Sequence, residues 1–252
     1  MNLHFLAGGR LRMRRSIYQP DAPKDEILEL PVSCALLRHG QGTVLVDTGC
    51  NPKAAEDPEG RWGGLARVMN PVFSPEETVV PQLEAVGLTP DDVDLVVCSH
   101  LHPDHCGCND AFRRATILCH AVELEAARAE GAVKQGYLPV EWDQPNGFTT
   151  FSGEHDLFGD GRVVLLPLPG HTPGMTGTLV SLDRDGRFLL AGDAAPMRSA
   201  LEGIAPRNNW NQEAAAASVQ EIRRHEADGA TVIFGHDAAQ WASLRKGGDG
   251  YA

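Results

Sequence analysis

The amino-acid sequence predicts one domain of the α/β or α+β class, and three observations lead to this prediction. Short β-branched and leucine-rich runs, bounded by Gly, Pro and Asp, recur along the 252 residues and are typical of strands. Segments rich in Ala, Glu and Arg lie between some of these runs and are typical of helices. No internal repeat, low-complexity tract or charged tail divides the chain. We therefore predict a single domain over residues 1–252.

Strands are predicted in both halves of the chain. The predicted strands are Leu3 to Ala7, Ala35 to Leu37, Thr43 to Asp47, Val93 to Cys98, Thr116 to Cys119, Val163 to Leu168, Gly177 to Leu182, Phe188 to Ala191 and Thr231 to Phe234. Gln41-Gly42 and Asp185-Gly186 each separate two neighbouring runs, and each predicts a hairpin turn. These turns predict antiparallel strand pairs in two places.

Three segments predict helices. Ser74-Pro75-Glu76-Glu77 offers an N-cap, a proline at the first helical position and a glutamate three residues after the cap. Pro81 should kink this helix or delay its start, because proline lacks the backbone N–H. Ala121 to Glu130 and Gln212 to His225 contain few helix breakers. Gly131 to Gly161 shows little periodicity and predicts a long surface excursion.

Composition and charge exclude several classes of function. Lys and Arg number 22 against 34 Asp and Glu, so the net charge is -12, and an acidic surface repels the phosphate backbone of nucleic acids. No stretch approaches the ~18 uncharged apolar residues of a membrane span. The apolar start from Leu3 to Ala7 is too short for a signal peptide, and six cysteines in such a chain are expected to be reduced. We expect a cytoplasmic protein without nucleic-acid or membrane partners.

One short segment concentrates potential metal ligands. It reads Ser99-His100-Leu101-His102-Pro103-Asp104-His105-Cys106-Gly107. On extended backbone His100 and His102 share a face, so both can bind one ion. Pro103 ends strand and helix alike, which lets Asp104 and His105 turn toward a different point. The segment therefore predicts ligands for two metal ions.

Three further candidate ligands each follow a predicted strand, and each is preceded by a glycine that lets backbones approach closely. They are His171, Asp193 and His236. We predict a first group of His100, His102 and His171, a second group of Asp104, His105 and His236, and Asp193 as the carboxylate that bridges the two groups. Imidazole and carboxylate donors without thiolate suit two Zn²⁺ ions, although Fe²⁺, Mn²⁺ and Co²⁺ accept the same donors.

A pair of metal ions at this position predicts hydrolysis. In two-metal sites the ions lie about 3.5–4 Å apart, and a water between them loses its proton near neutral pH and becomes a nucleophile. Asp104 and Asp193 are the predicted catalytic residues. Asp104 is the candidate for passing a proton to the leaving oxygen.

The order of these residues resembles that of the metallo-β-lactamase superfamily. The shared pattern is His-x-His-x-Asp-His, then a Gly-His after a strand, an Asp after a later strand and a final Gly-His. Val46-Asp47-Thr48-Gly49 is similar to the early strand-end motif of that family, in which the aspartate does not bind the metal directly. The resemblance covers almost the whole chain. It implies a four-layer αβ/βα sandwich with the metals at one sheet edge.

Within the superfamily, the sequence most resembles the N-acyl homoserine lactonases. The residues that carry this likeness are Ser99 to Gly107 with Asn109, the opening Leu30-Pro31-Val32 and the closing Phe234-Gly235-His236-Asp237. The resemblance implies a cytoplasmic, dinuclear, mostly zinc-containing enzyme that opens the lactone ring of bacterial quorum signals. Carried over by position, its metal ligands are the seven residues of the two groups and their bridge.

The resemblance also implies where substrate binds. Trp62, Met69 and Phe73 lie where the lactonases carry an apolar loop near the metals, and Met13 lies in an N-terminal segment that approaches the site in that family. Apolar pocket walls suit an acyl chain. An ordinary role in the core or in a dimer contact is an equally good interpretation of these residues.

One departure from the lactonase pattern concerns a tyrosine. The lactonases place it three residues after the bridging aspartate, where its hydroxyl contacts the lactone carbonyl, whereas this chain has Pro196 there. The remaining tyrosines are Tyr18, Tyr137 and Tyr251. Of these we expect only Tyr137, in the irregular excursion, to reach the site and bind substrate.

Alternative functions remain open. One is hydrolysis of another ester, thioester or amide, since the ligands alone do not distinguish these substrates. Another is the mononuclear-iron sulfur dioxygenase activity found in the superfamily, whose members keep these histidines. The diiron redox enzymes of the superfamily are disfavoured, because they usually have Glu at the position of His102. A catalytically silent binding module would predict lost ligands, and all seven are present. A homodimer is also an open alternative.

Overall fold

The computed structural model describes residues 1–252, and its strands and helices alternate along the chain. The strands are β1 (Asn2–Arg14), β2 (Ile27–His39), β3 (Gly42–Val46), β4 (Asn70–Pro71), β5 (Leu95–Val97), β6 (Thr116–His120), β7 (Thr149–Phe151), β8 (His155–Asp156), β9 (Val163–Pro167), β10 (Thr176–Ser181), β11 (Arg187–Gly192) and β12 (Ala230–Phe234). The α-helices are α1 (Arg15–Tyr18), α2 (Pro52–Glu56), α3 (Pro58–Trp62), α4 (Val79–Ala85), α5 (Pro103–Cys106), α6 (Ala121–Arg128), α7 (Pro139–Trp142), α8 (Arg198–Leu201), α9 (Gln212–Ala227) and α10 (Ala238–Ser243).

The strands form two sheets. The seven-stranded sheet has the order β4-β1-β2-β3-β5-β6-β7, and the five-stranded sheet has the order β12-β11-β10-β9-β8. The hairpins predicted at Gln41-Gly42 and Asp185-Gly186 are confirmed, because β2 pairs antiparallel with β3 and β10 pairs antiparallel with β11. β3, β5 and β6 are parallel neighbours. Their carboxyl ends therefore meet at one edge of the seven-stranded sheet.

Alternating apolar residues pack the two sheets face to face. In β2, Leu37 belongs to the core between the sheets, together with Leu165 of β9. Its neighbour Leu36 belongs to the core on the opposite face, which α4 and α6 cover, as the two-residue period of a strand requires. Helix α9 covers the outer face of the five-stranded sheet through Ile222. The layers run helix, sheet, sheet, helix, which confirms the predicted four-layer sandwich.

The three predicted helices are present, with shifted ends, as α4, α6 and α9. Helix α6 ends at Arg128 and α9 continues to Ala227. The capping box forms at Ser74, but it opens a 3-10 turn, and α4 begins only at Val79. Pro81 therefore lies in the first turn of α4, where its missing N–H costs no helical hydrogen bond. None of the helices is long and apolar enough to cross a membrane.

The excursion from Gly131 to Gly161 is more ordered than its composition indicates. It contains a 3-10 turn at Ala132–Gln135, the short helix α7, and the edge strands β7 and β8. β7 pairs with β6 and β8 pairs with β9, so the segment extends one edge of each sheet. Its first part passes beside the loop that follows β5.

Candidate metal centre

Four loops at one edge of the sandwich carry the seven predicted ligands. The segment His100 to His105 follows β5 of the seven-stranded sheet, and α5 begins within it at Pro103. His171 follows β9, Asp193 follows β11 and His236 follows β12, all in the five-stranded sheet. The structure brings all seven side chains together. The site therefore draws ligands from both sheets.

The close approach of α9 to the loop after β9 depends on Gly170. Its φ is +145°, and a Cβ atom there would lie 2.3 Å from the backbone Cα of Ala215 in α9. Real Cβ atoms essentially never come so close to backbone. Glycine at this position lets the helix press on the loop that presents His171, as the sequence predicts.

The first group consists of three imidazoles. The donor atoms of His100, His102 and His171 all lie within 4.8 Å of one another, and Nε2 of His171 lies 3.1 Å from Nδ1 of His102. Nδ1 of His100 lies 3.1 Å from Oγ of Ser99, which leaves Nε2 of His100 facing the other two rings. These three nitrogens could bind one ion.

The second group combines one carboxylate with two imidazoles. Oδ2 of Asp104 lies 3.5 Å from Nε2 of His105 and 3.5 Å from Nε2 of His236. All three side chains are buried. The group could bind a second ion through one oxygen and two nitrogens.

Asp193 lies between the two groups and contacts both. Its Oδ2 lies 3.4 Å from Nε2 of His171 in the first group. Its Oδ1 lies 3.1 Å from Nε2 of His236 and 3.5 Å from Nε2 of His105 in the second group. Each carboxylate oxygen thus faces a different group, which is the arrangement that a bridging ligand requires.

Unpartnered buried atoms test whether these residues fit metal ions. Nε2 of His100, His105 and His236 and Oδ1 of Asp193 are buried and have no hydrogen-bond partner within the chain. Each such atom costs about 1–3 kcal/mol when it stays unsatisfied. Cations between these side chains would satisfy all of these atoms at once, and a set of imidazoles and carboxylates suits borderline divalent metals. The residues therefore fit a pair of divalent cations.

Fixed acceptors hold the imidazoles of the second group in orientation. Oδ2 of Asp47 lies 2.8 Å from Nδ1 of His105, and Asp47 also accepts hydrogen bonds from the backbone and hydroxyl of Ser99, both at 2.7 Å. The carbonyl of Pro31 lies 2.9 Å from Nδ1 of His236. Because Nδ1 of each ring is taken, Nε2 is the atom left for a metal. Asp47 has φ +59°, which only a few non-glycine residues adopt.

The first group is anchored differently. Nε2 of His102 lies 2.9 Å from the backbone carbonyl of Gln135, which belongs to the 3-10 turn in the excursion. The adjacent Gly136 has φ +95°, and a Cβ atom there would lie 3.0 Å from the same Nε2 of His102. The orientation of His102 therefore depends on a loop.

The two groups also differ in proton affinity in the absence of a cation. Burial lowers the pKa of His171 to about 3, and burial together with neighbouring imidazoles holds the pKa of His100 well below its usual range. Burial acts in the same direction at His236, but Asp193 and Asp104 outweigh it and raise the pKa. At His105, the carboxylates outweigh burial in the same way. His105 and His236 therefore bind protons more tightly than His100 and His171.

One positioning residue gave no signal in the sequence. Glu123 of α6 is fully buried, and its two oxygens accept hydrogen bonds from the backbone N–H of Leu101 and of Gly174, both at 3.0 Å. These bonds connect the loop after β5 to the loop after β9. They set the spacing between the first two histidines and His171, although an isolated Glu in a helix predicts only a solvated side chain.

Two cavities open beside the first group. The larger, of about 370 Å³, has a mostly apolar wall and a basic rim and ends at the imidazoles; its lining includes Met13, Ile17, Leu65, Val68, Met69, His102, Lys134, His171 and Arg207. The smaller, of about 310 Å³, is more polar and is lined by residues that include Tyr137, Thr172, Asn209 and Trp210. His102 and His171 border both cavities.

The predicted substrate-binding residues occupy different places. Met69 lines the larger cavity. Trp62 is buried and donates from Nε1 to Glu141 at 2.6 Å, and Phe73 packs in the same core cluster. The structure therefore places Trp62 and Phe73 behind the cavity wall, which agrees with the interpretation as core residues. Tyr137 lies near His102, with ring centroids 5.2 Å apart and ring planes tilted by 54°, but its hydroxyl is buried without a partner.

The expectation that only Tyr137 among the tyrosines reaches the site is wrong. Tyr18, at the end of α1, lies beside His236, with ring centroids 6.3 Å apart. Its hydroxyl donates to Sδ of Met13 at 3.2 Å. The sequence contains no sign of this contact, because it joins residues more than two hundred positions apart.

Two facing sheets between helices, with histidines and aspartates gathered at one edge, define a class of metal-binding αβ/βα sandwich proteins. The chain belongs to the metallo-beta-lactamase superfamily, whose family model matches residues 27–245. Both the superfamily and the fold that the sequence predicts are thereby confirmed. The fold of this superfamily implies a divalent metal.

Similar proteins extend over nearly the whole chain. The N-acyl homoserine lactonase AttM of Azorhizobium caulinodans is 32% identical over 98% of this chain and 97% of its own length. AttM of Agrobacterium fabrum is 33% identical over 100% of this chain and 99% of its own length. A solved N-acyl homoserine lactone hydrolase, with the product N-hexanoyl-L-homoserine at its catalytic metal center, superposes with a TM-score of 0.86 at 29% identity and covers 99% of this chain and 98% of its own.

Proposed function

We propose that this protein is a dinuclear metal-dependent hydrolase that opens the ring of N-acyl homoserine lactones. One observation carries the proposal: the apolar cavity of about 370 Å³ ends at His102 and His171, beside the clustered ligand side chains. An N-acyl homoserine lactone has an apolar acyl chain joined to a lactone ring, so the cavity suits the chain and the cluster suits the ring. The names of the relatives support the same substrate class.

We propose that the first and the second group each hold one ion, with Asp193 between them. Zinc suits these donors best, and iron, manganese or cobalt could replace it. Bound there, such ions supply Lewis acidity for a carbonyl and lower the pKa of water. The orphaned Nε2 atoms of His100, His105 and His236 support this assignment.

The side chains of the chain itself divide the remaining work. Asp193 spans the groups and keeps them at a constant separation. Asp104 lies in the second group with one carboxylate oxygen between two imidazoles, where it can hold a proton and pass it to the ring oxygen as the ring opens. Met13 and Met69 exclude water from the acyl chain. Asp47 keeps His105 in the productive tautomer.

A second candidate substrate class follows from Pro196. The lactonase pattern has a tyrosine hydroxyl at this position, and proline cannot donate a hydrogen bond there. Another ester, thioester or amide whose carbonyl needs no such donor is therefore the alternative substrate. The alternative sulfur dioxygenase activity differs in chemistry, because that reaction consumes oxygen.

A substrate panel tests the proposal. Protein of measured metal content is assayed with acyl homoserine lactones of several chain lengths, simple γ- and δ-lactones, aryl esters, thioesters and β-lactams, and oxygen uptake is followed with a persulfide. We expect the highest kcat/KM with acyl homoserine lactones and no oxygen uptake. A higher kcat/KM with thioesters or aryl esters, or oxygen consumption, would contradict the proposal.

We also propose a cytoplasmic location. All six cysteines are buried and free, and none forms a disulfide. A reducing compartment keeps such thiols in this state. Recovery of the native protein in the periplasmic or secreted fraction of its own cells would contradict this location.

A further inference from the structure

Tyr18 lies beside the second group, in the buried core cluster that also contains Met13. The residue is 3% exposed, and its ring lies at 65° to the ring of His236. Its hydroxyl donates to the thioether of Met13, and Met13 lines the cavity. The hydroxyl therefore lies directly behind Met13, a side chain that lines the space proposed for substrate, and the ring of Tyr18 lies beside a predicted metal ligand.

The present hydrogen bond of Tyr18 is easily exchanged. A thioether sulfur is a weak acceptor, whereas a carbonyl or alkoxide oxygen is a strong one. A phenol keeps its proton at neutral pH, so an oxygen that reaches this point would take its hydrogen bond from the sulfur.

The turn that carries Tyr18 is held on both sides. The backbone N–H of Arg207 donates to the carbonyl of Ile17 at 2.7 Å, and the guanidinium of Arg207 donates to the carbonyl of Pro20 at 2.8 Å. Gln19 closes α1 with a bond to Arg15. Because the backbone is fixed on each side of Tyr18, its hydroxyl is preorganised, which is the condition for a donor to act electrostatically on a reaction.

We propose that Tyr18 is a further catalytic residue, whose hydroxyl donates a hydrogen bond to the ring oxygen that leaves when the lactone opens. This inference rests on the proposed function. In the reaction, the carbonyl carbon of the lactone ring gains the oxygen of a water molecule and its bond to the ring oxygen breaks. The ring oxygen keeps the electron pair of that bond and receives one proton of the water. Tyr18 is not consumed and stabilises the charge that grows on the leaving oxygen.

The position of Tyr18 explains why its hydroxyl would donate to the leaving ring oxygen and not to the carbonyl oxygen. Tyr18 contacts His236 of the second group, where Asp104 is placed to deliver the proton. The lactone carbonyl would instead lie toward His102 and His171, which border the cavity. A donor beside the second group therefore acts on the departing side of the substrate.

The first test removes only the hydroxyl. In Tyr18→Phe the ring still packs against His236, so metal content and fold should stay unchanged. We expect kcat for an acyl homoserine lactone to fall about 100-fold with little change in KM, as on loss of one preorganised donor. Tyr251→Phe is the matched control, because the hydroxyl of Tyr251 accepts from the backbone of Arg245 near the chain end. A kcat for Tyr18→Phe equal to that of the control would overturn the proposal.

A second test changes the leaving atom. In an N-acyl homocysteine thiolactone the ring atom is sulfur, which accepts hydrogen bonds weakly and leaves with less need of stabilisation. The ratio of wild-type to Tyr18→Phe kcat should therefore fall from about 100-fold toward unity. Equal ratios for lactone and thiolactone would overturn the assignment to the leaving oxygen.

A binding measurement separates this inference from the proposed function. Calorimetry of the metal-loaded protein with the hydroxy-acid product should show weaker binding in Tyr18→Phe, since the product hydroxyl loses its donor. If the wild type opens no lactone but cleaves another ester, the proposed function fails. The same oxygen-against-sulfur comparison, made with that ester and its thioester, then tests Tyr18 by itself.

Discussion

The first and second groups are built from similar side chains but are supported in different ways. In the second group, the imidazoles rest on the Asp47 carboxylate and the Pro31 carbonyl, both within or directly after strands of the seven-stranded sheet. In the first group, His102 is only partly buried, borders the cavity and rests on a carbonyl of the excursion. One group is thus fixed by the sheet, whereas the other borders the cavity proposed for substrate and depends on a loop.

Removal of a ligand from the second group gives the largest expected effect. Asp104→Ala should lose the ion of the second group while the first group keeps its own, and kcat should fall by on the order of 10³-fold or more, because attack and proton delivery both depend on this group. Metal analysis and steady-state kinetics measure the two effects. Asp183→Ala, an exposed carboxylate with 66% of its side chain accessible, is the control. Full metal stoichiometry and full rate in Asp104→Ala would refute its role.

Loss of the strand-end support should weaken the second group selectively. Asp47→Asn removes the charged acceptor from His105 but keeps the side-chain shape. Such supporting residues are worth about 10–100-fold in metal affinity, and we expect a loss of this size at the second group only. Titration with a competing chelator measures both sites. An equal loss at the two groups would contradict the difference in support.

Lowering the pH should weaken metal binding at the second group before it weakens binding at the first. A metal ion must displace any proton on its ligands, and the raised pKa of His236 keeps its proton to higher pH, whereas the pKa of His171 is lowered to about 3. As pH falls below neutral, affinity should therefore decrease first at the second group, by up to about 10-fold per pH unit for each proton displaced. Chelator competition between pH 8 and pH 5, roughly the range over which histidine charges, measures this order. Loss of the first group's ion before the second would contradict it.

The smallest predicted effect concerns the loop that supports His102. Gly136→Ala places a methyl group against the His102 ring, whereas Gly131→Ala, at φ +79° in the same loop, meets nothing within 4 Å. Both substitutions strain a left-handed backbone by about 1–2 kcal/mol, so their thermal stabilities should match. Only Gly136→Ala should lower kcat, by a few-fold to about 10-fold. Identical kinetics in the two variants would show that His102 tolerates the displacement of its support.

The seven candidate ligands could be predicted because the signal is local. His100 to His105 lie in one segment, and His171, Asp193 and His236 each follow a strand directly, so sheet topology alone brings them to one edge. The layers could be predicted for the same reason, since alternation along a single strand already specifies two faces.

Residues whose role depends on distant contacts could not be predicted. Trp62 is an apolar residue of the kind that lines pockets. Only its hydrogen bond to Glu141, which is 79 residues away in the sequence, shows that it belongs to the core. Tyr18 carries no motif, and its approach to His236 joins the turn after β1 to the loop after β12. A pattern of residue types cannot distinguish such outcomes, because the deciding partner lies far away in the chain.

The division of the ligands between the two sheets has a consequence outside catalysis. The cations that fit this centre would connect the two sheets, because each sheet supplies ligands. Their binding free energy would therefore add to the stability of the folded chain. In a cell starved of these metals, the two sheets would separate more often at this edge, and the protein would become a substrate for proteases. Metal supply would then set how much of the enzyme the cell retains, as well as how fast each copy works.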